Sequence, residues 1–176
     1  AVVLDDVTLT IVAGERIALG GESGAGKTTL LRTILERCGA RAAYIPQDLG
    51  LVPALSVFHN VYMGRLHRHS AWRNLRTLLR PAAGEIASVS AVLATLRLED
   101  RLFSPAGELS GGQQQRTAFG RALYHPGDML IGDEPVSAVD EHQAREILGT
   151  AQAAKSTVIL ALHDRALALE TAGQVI

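Results

Sequence analysis

Eight consecutive residues, Gly21-Glu22-Ser23-Gly24-Ala25-Gly26-Lys27-Thr28, constrain the fold of this chain more than any other stretch. They fit G-x-x-x-x-G-K-[ST], and the pattern has physical meaning only where a strand runs into a helix. That context is met. The short apolar run Arg16-Ile17-Ala18-Leu19 precedes the glycines, and a helical stretch from Lys27 to about Glu36 follows them, with Thr29 in its first turn. Glycines let the backbone curl so that successive N–H groups face an anion, and the helix presents its positive end to the same point. Lys27 would then hold the β- and γ-phosphates of a nucleotide and the Thr28 hydroxyl would ligate Mg²⁺. The competing reading is a glycine-rich turn that merely caps a helix. The chain has only two lysines, Lys27 and Lys155, and one falls at the required position, which favours the nucleotide.

The remaining segments alternate between strand and helix. Val7-Thr8-Leu9-Thr10-Ile11 alternates apolar and hydroxyl side chains, and with the turn Ala13-Gly14-Glu15 it predicts a half-buried strand in a hairpin. Residues 2–4 and 42–45 read as further strands, the latter ended by Pro46. From Ser56, a candidate N-cap, to Leu98 the periodicity is helical, with breaks expected near Arg80-Pro81 and Gly84. Ser110 can cap a helix to about His125; residues 129–131 and 157–162 are buried strands; residues 141–153 and 164–172 are helical. Strands alternating with helices predict an α/β core with a mainly parallel sheet, and the middle of the chain, about 54–125, a helical subdomain. Both ends look cut: the chain begins at Ala1 rather than a methionine, and Gln174-Val175-Ile176 reads as the start of a strand.

Composition narrows the function classes. A net charge of −1, 20% charged residues and 47% hydrophobic residues describe an ordinary globular protein, so bulk charge names no partner. Cys38 is the only cysteine, which excludes an intrachain disulfide and fits a reducing compartment. No apolar run approaches the length of a membrane span.

Three more segments and two single residues complete a constellation. Leu109-Ser110-Gly111-Gly112-Gln113-Gln114-Gln115-Arg116 puts a capping serine and two glycines at a helix start, where free N–H groups can meet an anion. Met129-Leu130-Ile131-Gly132-Asp133-Glu134-Pro135 is an apolar run ending in two carboxylates. Asp133 at the strand tip can hold Mg²⁺ through water, and Glu134 can polarise an attacking water. Ser137-Ala138-Val139-Asp140 follows. Gln47 stands after the strand at 42–45 and His163 at the end of the strand at 157–162. Read singly, these could be a capped helix, a solvated turn and a structural histidine. Together with the phosphate loop, in this order, they make nearly the whole chain resemble the nucleotide-binding domains of ABC transporters.

The resemblance implies a P-loop NTPase fold that binds and hydrolyses ATP with Mg²⁺. It implies that Gln47 reaches the metal and the attacking water, that His163 is the switch residue at the γ-phosphate, and that residues 137–140 run along a dimer interface. Two copies would pack head to tail, with the phosphate loop of one and Ser110, Gly111, Gly112 and Gln113 of the other clamping each ATP. Implied partners are transmembrane permease subunits and, for an importer, a solute-binding protein; the implied location is the cytoplasmic face of the cell membrane. Residues 55–73, including Asn60-Val61, Gly64-Arg65-Leu66 and Ser70-Ala71-Trp72-Arg73, are similar to the ATP-binding subunits of phosphonate importers.

The match has departures. Only 20 residues separate Lys27 from Gln47, where the family places extra β-structure, so the antiparallel region is expected to be reduced. The family stacks adenine on an aromatic upstream of the phosphate loop, yet the first aromatic is Tyr44. Gly132 stands where a larger residue is expected to fit equally well. Gln47 and Ser110 are 63 residues apart, which leaves no room for the long coiled coil of chromosome-structure relatives. Arg65, Arg68, Arg73, Arg76 and Arg80, with His67 and His69 and no acid, form either a solvated basic face, a nucleic-acid contact or a docking face for a membrane subunit. A transporter ATPase is the expected function and nucleic acid is not an expected partner. The alternatives are a soluble ABC ATPase acting on nucleic acid or ribosomes, and an assembly module without turnover, against which Glu134 and His163 argue.

Overall fold

The computed structural model describes residues 7–22 and 24–176; the strand expected at residues 2–4 and the loop residue Ser23 lie outside them. The chain forms two units, one from Ala1–Gln47 with Gly127–Ile176, the other Asp48–Pro126.

The first unit is a five-stranded sheet in the order β2-β3-β4-β1-β5. Its strands are β1 (Arg16–Leu19), β2 (Ala42–Ile45), β3 (Met129–Asp133), β4 (Thr157–Ala161) and β5 (Gln174–Val175), and every pairing is parallel. Parallel strands need crossover helices, which cover both faces and make the strands apolar throughout. Helix α1 (Lys27–Cys38) packs Leu31, Leu30 and Ile34 on one face against Ile17, Leu19, Ile131 and Ile159. Alternation turns Ala18, Leu130, Val158 and Leu160 to the other face, where helices α6 (Glu141–Ala154) and α7 (Arg165–Thr171) lie against β4 and β1.

The hairpin expected around residues 7–15 does not form. Among the described residues, 7–12 make no strand, although Ala13 and Gly14 do turn. The reason is geometric: β1 already has β4 on one edge and β5 on the other, so no edge is left for an antiparallel neighbour. Ile11 still packs beside the core. The antiparallel content of the described residues comes down to a single bridge, Ser56 to Pro105.

The second unit is helical: α2 (Val57–Tyr62), a 3₁₀ segment (Met63–Arg68), α3 (Ala71–Leu79), α4 (Ala83–Thr95) and α5 (Gly111–Tyr124). Phe58, Val61, Val89, Leu93 and Tyr124 make its core. Ser56 caps α2 as expected, its hydroxyl accepting from the His59 N–H. The break falls at residues 80–82, and Gly84 belongs to the first turn of α4 rather than to the break. Gly64 allows a backbone approach that no side chain would: a Cβ there would collide with the Arg121 carbonyl and come within 3.1 Å of the His125 nitrogen. Buried Asn60 pins the preceding loop, accepting from Val52 N–H at 2.8 Å and donating to the carbonyls of Val52, Leu55 and Ser56.

Candidate functional site

Parallel pairing brings the candidate residues of the first unit to one edge. The register sets Ile45 beside Gly132 and Asp133 beside Ala161, so Gln47, Asp133, Glu134 and His163 all leave the carboxyl ends of adjacent strands. The phosphate loop leaves the same end of β1. In open α/β sheets this edge is where ligands bind.

The loop has the conformation its glycines permit. Gly21, Gly24 and Gly26 have φ of 133°, 86° and 92°, a region that costs side-chain-bearing residues energy. Lys27 folds back over the loop, its ammonium donating to the carbonyls of Gly21 at 2.6 Å and Glu22 at 3.0 Å. Gly26 is the N-cap of α1 without a side-chain cap, and no acid lies in the first turn. Those N–H groups and the lysine suit a polyanion. Ala25 and Thr29 are exposed beside them.

Thr28 and Asp133, 105 residues apart in sequence, meet: the Thr28 hydroxyl donates to Asp133 Oδ2 at 2.7 Å. Asp133 is 2% exposed. One hydroxyl and one carboxylate suit Mg²⁺, a hard ion that keeps waters and shares substrate phosphates, and not an all-protein cage. No group of three or more His, Cys, Asp or Glu among the described residues could form such a cage.

Glu134 is the centre of a second cluster. Its Oε1 accepts from His163 Nε2 at 2.5 Å, and its Oε2 lies 3.5 Å from the Gln47 amide nitrogen. Its backbone is left-handed, φ 51°, held by the Glu134 N–H donating to the Ala161 carbonyl at 3.1 Å. A non-glycine residue in this region costs on the order of 1 kcal/mol or more, a strain that clusters at functional sites. A cavity of about 360 Å³ opens beside the pair, walled by Glu134, His163, Ser137 and Val139. Asp140 caps α6, accepting from the Gln143 N–H at 2.9 Å.

Gly132 corrects the expectation that a larger residue would fit. A Cβ there would stand 2.8 Å from Leu160 Cδ2 and 2.9 Å from Pro135 Cγ, so only glycine leaves the room that these two side chains occupy. Tyr44 sits in β2, half-buried and packed against the core.

In the second unit Ser110 and Gln113 form a reciprocal capping box: the Gln113 N–H donates to Ser110 Oγ at 3.4 Å and the Ser110 N–H to Gln113 Oε1 at 3.0 Å. Two of the expected free donors are therefore used locally, and the N–H groups of Gly111 and Gly112 remain at the exposed start of α5. The basic stretch is not uniformly solvated either. Arg73 pairs with Glu85, which also accepts from the Tyr124 hydroxyl at 3.2 Å, while Arg65 donates to the Tyr124 carbonyl at 2.7 Å and lies over its ring. Burial would raise the Glu85 carboxyl pKa, but the hydrogen bonds from Arg73 and Tyr124 outweigh it and hold it below the usual range.

A parallel sheet with a phosphate loop, a hydroxyl–carboxylate pair and a glutamate at its carboxyl edge is the arrangement of the P-loop nucleoside triphosphatases. Comparison with known proteins goes further: the ABC transporter family model matches residues 4–137, and the chain belongs to that family. It is 36% identical to the phosphonates import ATP-binding protein PhnC of Pseudomonas putida, over 94% of this chain and 72% of that protein. It is 35% identical to PhnC 2 of Pseudomonas aeruginosa, over 98% and 75%. The fold is similar to that of the dimeric bacterial ABC transporter cassette MJ0796, with a TM-score of 0.83 at 22% identity, over 99% of this chain and 85% of that one. The Pseudomonas putida alignment spans 195 positions but uses 94% of 176 residues, about 165, so about 30 positions belong to the relative alone. The chain is thus an ATP-binding, ATP-hydrolysing subunit of the ABC type.

Proposed function

We propose that this chain hydrolyses Mg-ATP in a head-to-tail pair of copies and drives import of a phosphonate through permease subunits at the inner face of the membrane. The observation that carries the catalytic part is the placement of the Glu134 carboxylate between His163 and Gln47, beside the Thr28–Asp133 pair. Lys27, the N–H groups of Gly24, Ala25 and Gly26 and the α1 N-terminus hold the phosphates, with Glu22 and Thr29 beside them and Ser23 assigned to the nucleotide site by the motif alone. Thr28, Gln47 and Asp133 would hold Mg²⁺, which would supply positive charge against the triphosphate. Glu134 orients and polarises the attacking water, and His163 holds the carboxylate in position and faces the γ-phosphate. Gly111 and Gly112 supply N–H groups to the ATP of the partner copy, with Ser110 and Gln113 fixing the turn that presents them. Similarity to phosphonate import ATP-binding proteins supports the transporter reading over a soluble ATPase acting on nucleic acid.

The composite site is tested by Ser110→Arg, which places a bulky cation on the surface that completes the partner's site. ATP binding to one copy should persist and turnover should stop. Mixed with Lys27→Ala, it should regain at most one working site per pair; full activity in the mixture would end the head-to-tail reading. The solute is tested in vesicles with the permease: a phosphonate-loaded binding protein should raise ATP turnover above its basal rate, and equal stimulation by an unrelated loaded binding protein would exclude phosphonate.

A further inference from the structure

Helix α3 is amphipathic in the reverse sense. Its inward side is polar: Thr77 is 1% exposed, Arg73 reaches Glu85, and Asn74 accepts from the Tyr62 hydroxyl at 3.2 Å and donates to the Leu66 carbonyl at 3.0 Å. Its outward side is apolar. At 100° per residue Trp72, Leu75 and Leu79 fall on one stripe opposite Thr77, and they are 75%, 48% and 78% exposed. Arg76, one turn after Trp72, flanks the stripe, Arg80 is the residue that ends the helix, and both are exposed. No Asp or Glu occurs from residue 49 to residue 84.

We propose that this ridge rests on the surface of an anionic lipid bilayer. Aromatic and leucine side chains on one helix face with arginines along its margin are the composition of an interfacial helix: the apolar stripe enters the headgroup boundary while the guanidinium groups meet lipid phosphates. Charge complementarity selects the anionic surface, since Arg76 and Arg80 have no acidic neighbour within the 49–84 stretch to oppose the attraction. Shape favours lipid over a protein segment. Trp72 and Leu79 stand three-quarters clear of their surroundings, and fluid lipid closes around a convex ridge that a protein could cover only by supplying a matching groove. With nine residues α3 is too short to span a bilayer, so the contact is interfacial. It stands on α3 alone and is independent of the nucleotide roles assigned above.

Trp72 is the only tryptophan in the chain, so its emission reads the ridge directly. Titration with vesicles of phosphatidylglycerol and phosphatidylcholine should shift the emission to the blue, and brominated acyl chains should quench it. Vesicles of phosphatidylcholine alone should do neither. Arg76→Gln and Arg80→Gln should each weaken partitioning about fivefold, and the double variant about 25-fold. ATP affinity should not change in these variants. Three results would each overturn the proposal: no shift with the anionic vesicles, an equal shift with both vesicle types, or a shift that requires added permease. The third would make the ridge a protein-docking surface. The wild-type titration decides the matter even if a variant fails to fold.

Discussion

Replacing Glu134 with Gln should leave ATP binding intact and lower turnover on the order of 10²–10⁴-fold, the usual contribution of a positioned general base. Glutamine keeps the length of the side chain and an oxygen that can still accept from His163 Nε2, which now sits 2.5 Å from the carboxylate. It removes only the charge that polarises water. It also keeps the left-handed backbone cost at φ 51° nearly unchanged, so the thermal unfolding midpoint should hold while activity falls. If ATP binding drives closure, the variant should accumulate as a dimer with ATP and remain monomeric with ADP, because only the γ-phosphate can bridge Lys27 and the partner's Gly111 and Gly112. Steady-state turnover and size-exclusion chromatography with each nucleotide are the measurements. Near-normal turnover would remove Glu134 from the chemistry, and lost turnover without an ATP-dependent dimer would separate catalysis from closure.

Replacing Lys27 with Ala should weaken ATP binding on the order of 10²–10⁴-fold, measured by nucleotide titration. A hydrogen bond involving a charged group contributes about 1.5–3 kcal/mol, two such contacts to the β- and γ-phosphates are lost together, and each 1.4 kcal/mol is tenfold in affinity. Lys155, the other lysine, cannot substitute: it is buried and its ammonium donates to the Gly127 carbonyl at 2.6 Å. Since Lys27 also bonds the carbonyls of Gly21 and Glu22, the variant loop loses an internal tie, and a Lys27→Arg variant separates the two effects. A guanidinium retains the charge and fits the loop badly. Unchanged affinity in Lys27→Ala would remove the phosphate-loop assignment.

Much of this protein is legible in its sequence because the chemistry is local. The glycine spacing from Gly21 to Gly26 states that the backbone must enter a region closed to other residues, and the structure has φ of 133°, 86° and 92° there. The continuous apolar runs at 129–131 and 157–162 state that the strands are buried on both faces, as parallel strands are. Ser56 and Ser110 precede helices and cap them, since a short side-chain acceptor beside unsatisfied N–H groups needs nothing from the rest of the fold.

What tertiary structure alone decided depends on partners distant in sequence. Alternation at residues 7–11 signals a strand, but a strand exists only where an edge is free, and β4 and β5 occupy both edges of β1. A run of arginines without acids reads as one basic face until Glu85 and Tyr124 draw Arg73 and Arg65 inward. Gly132 looks replaceable in sequence, yet Leu160 and Pro135 fill the space its side chain would need. The meeting of Thr28 with Asp133, and of Glu134 with His163 and Gln47, follows from the register of β2, β3 and β4. The sequence by itself determined which groups are candidates for the chemistry, through residue type and local spacing. Strand register determined that those groups converge, because only the pairing of distant segments sets their carboxyl ends side by side.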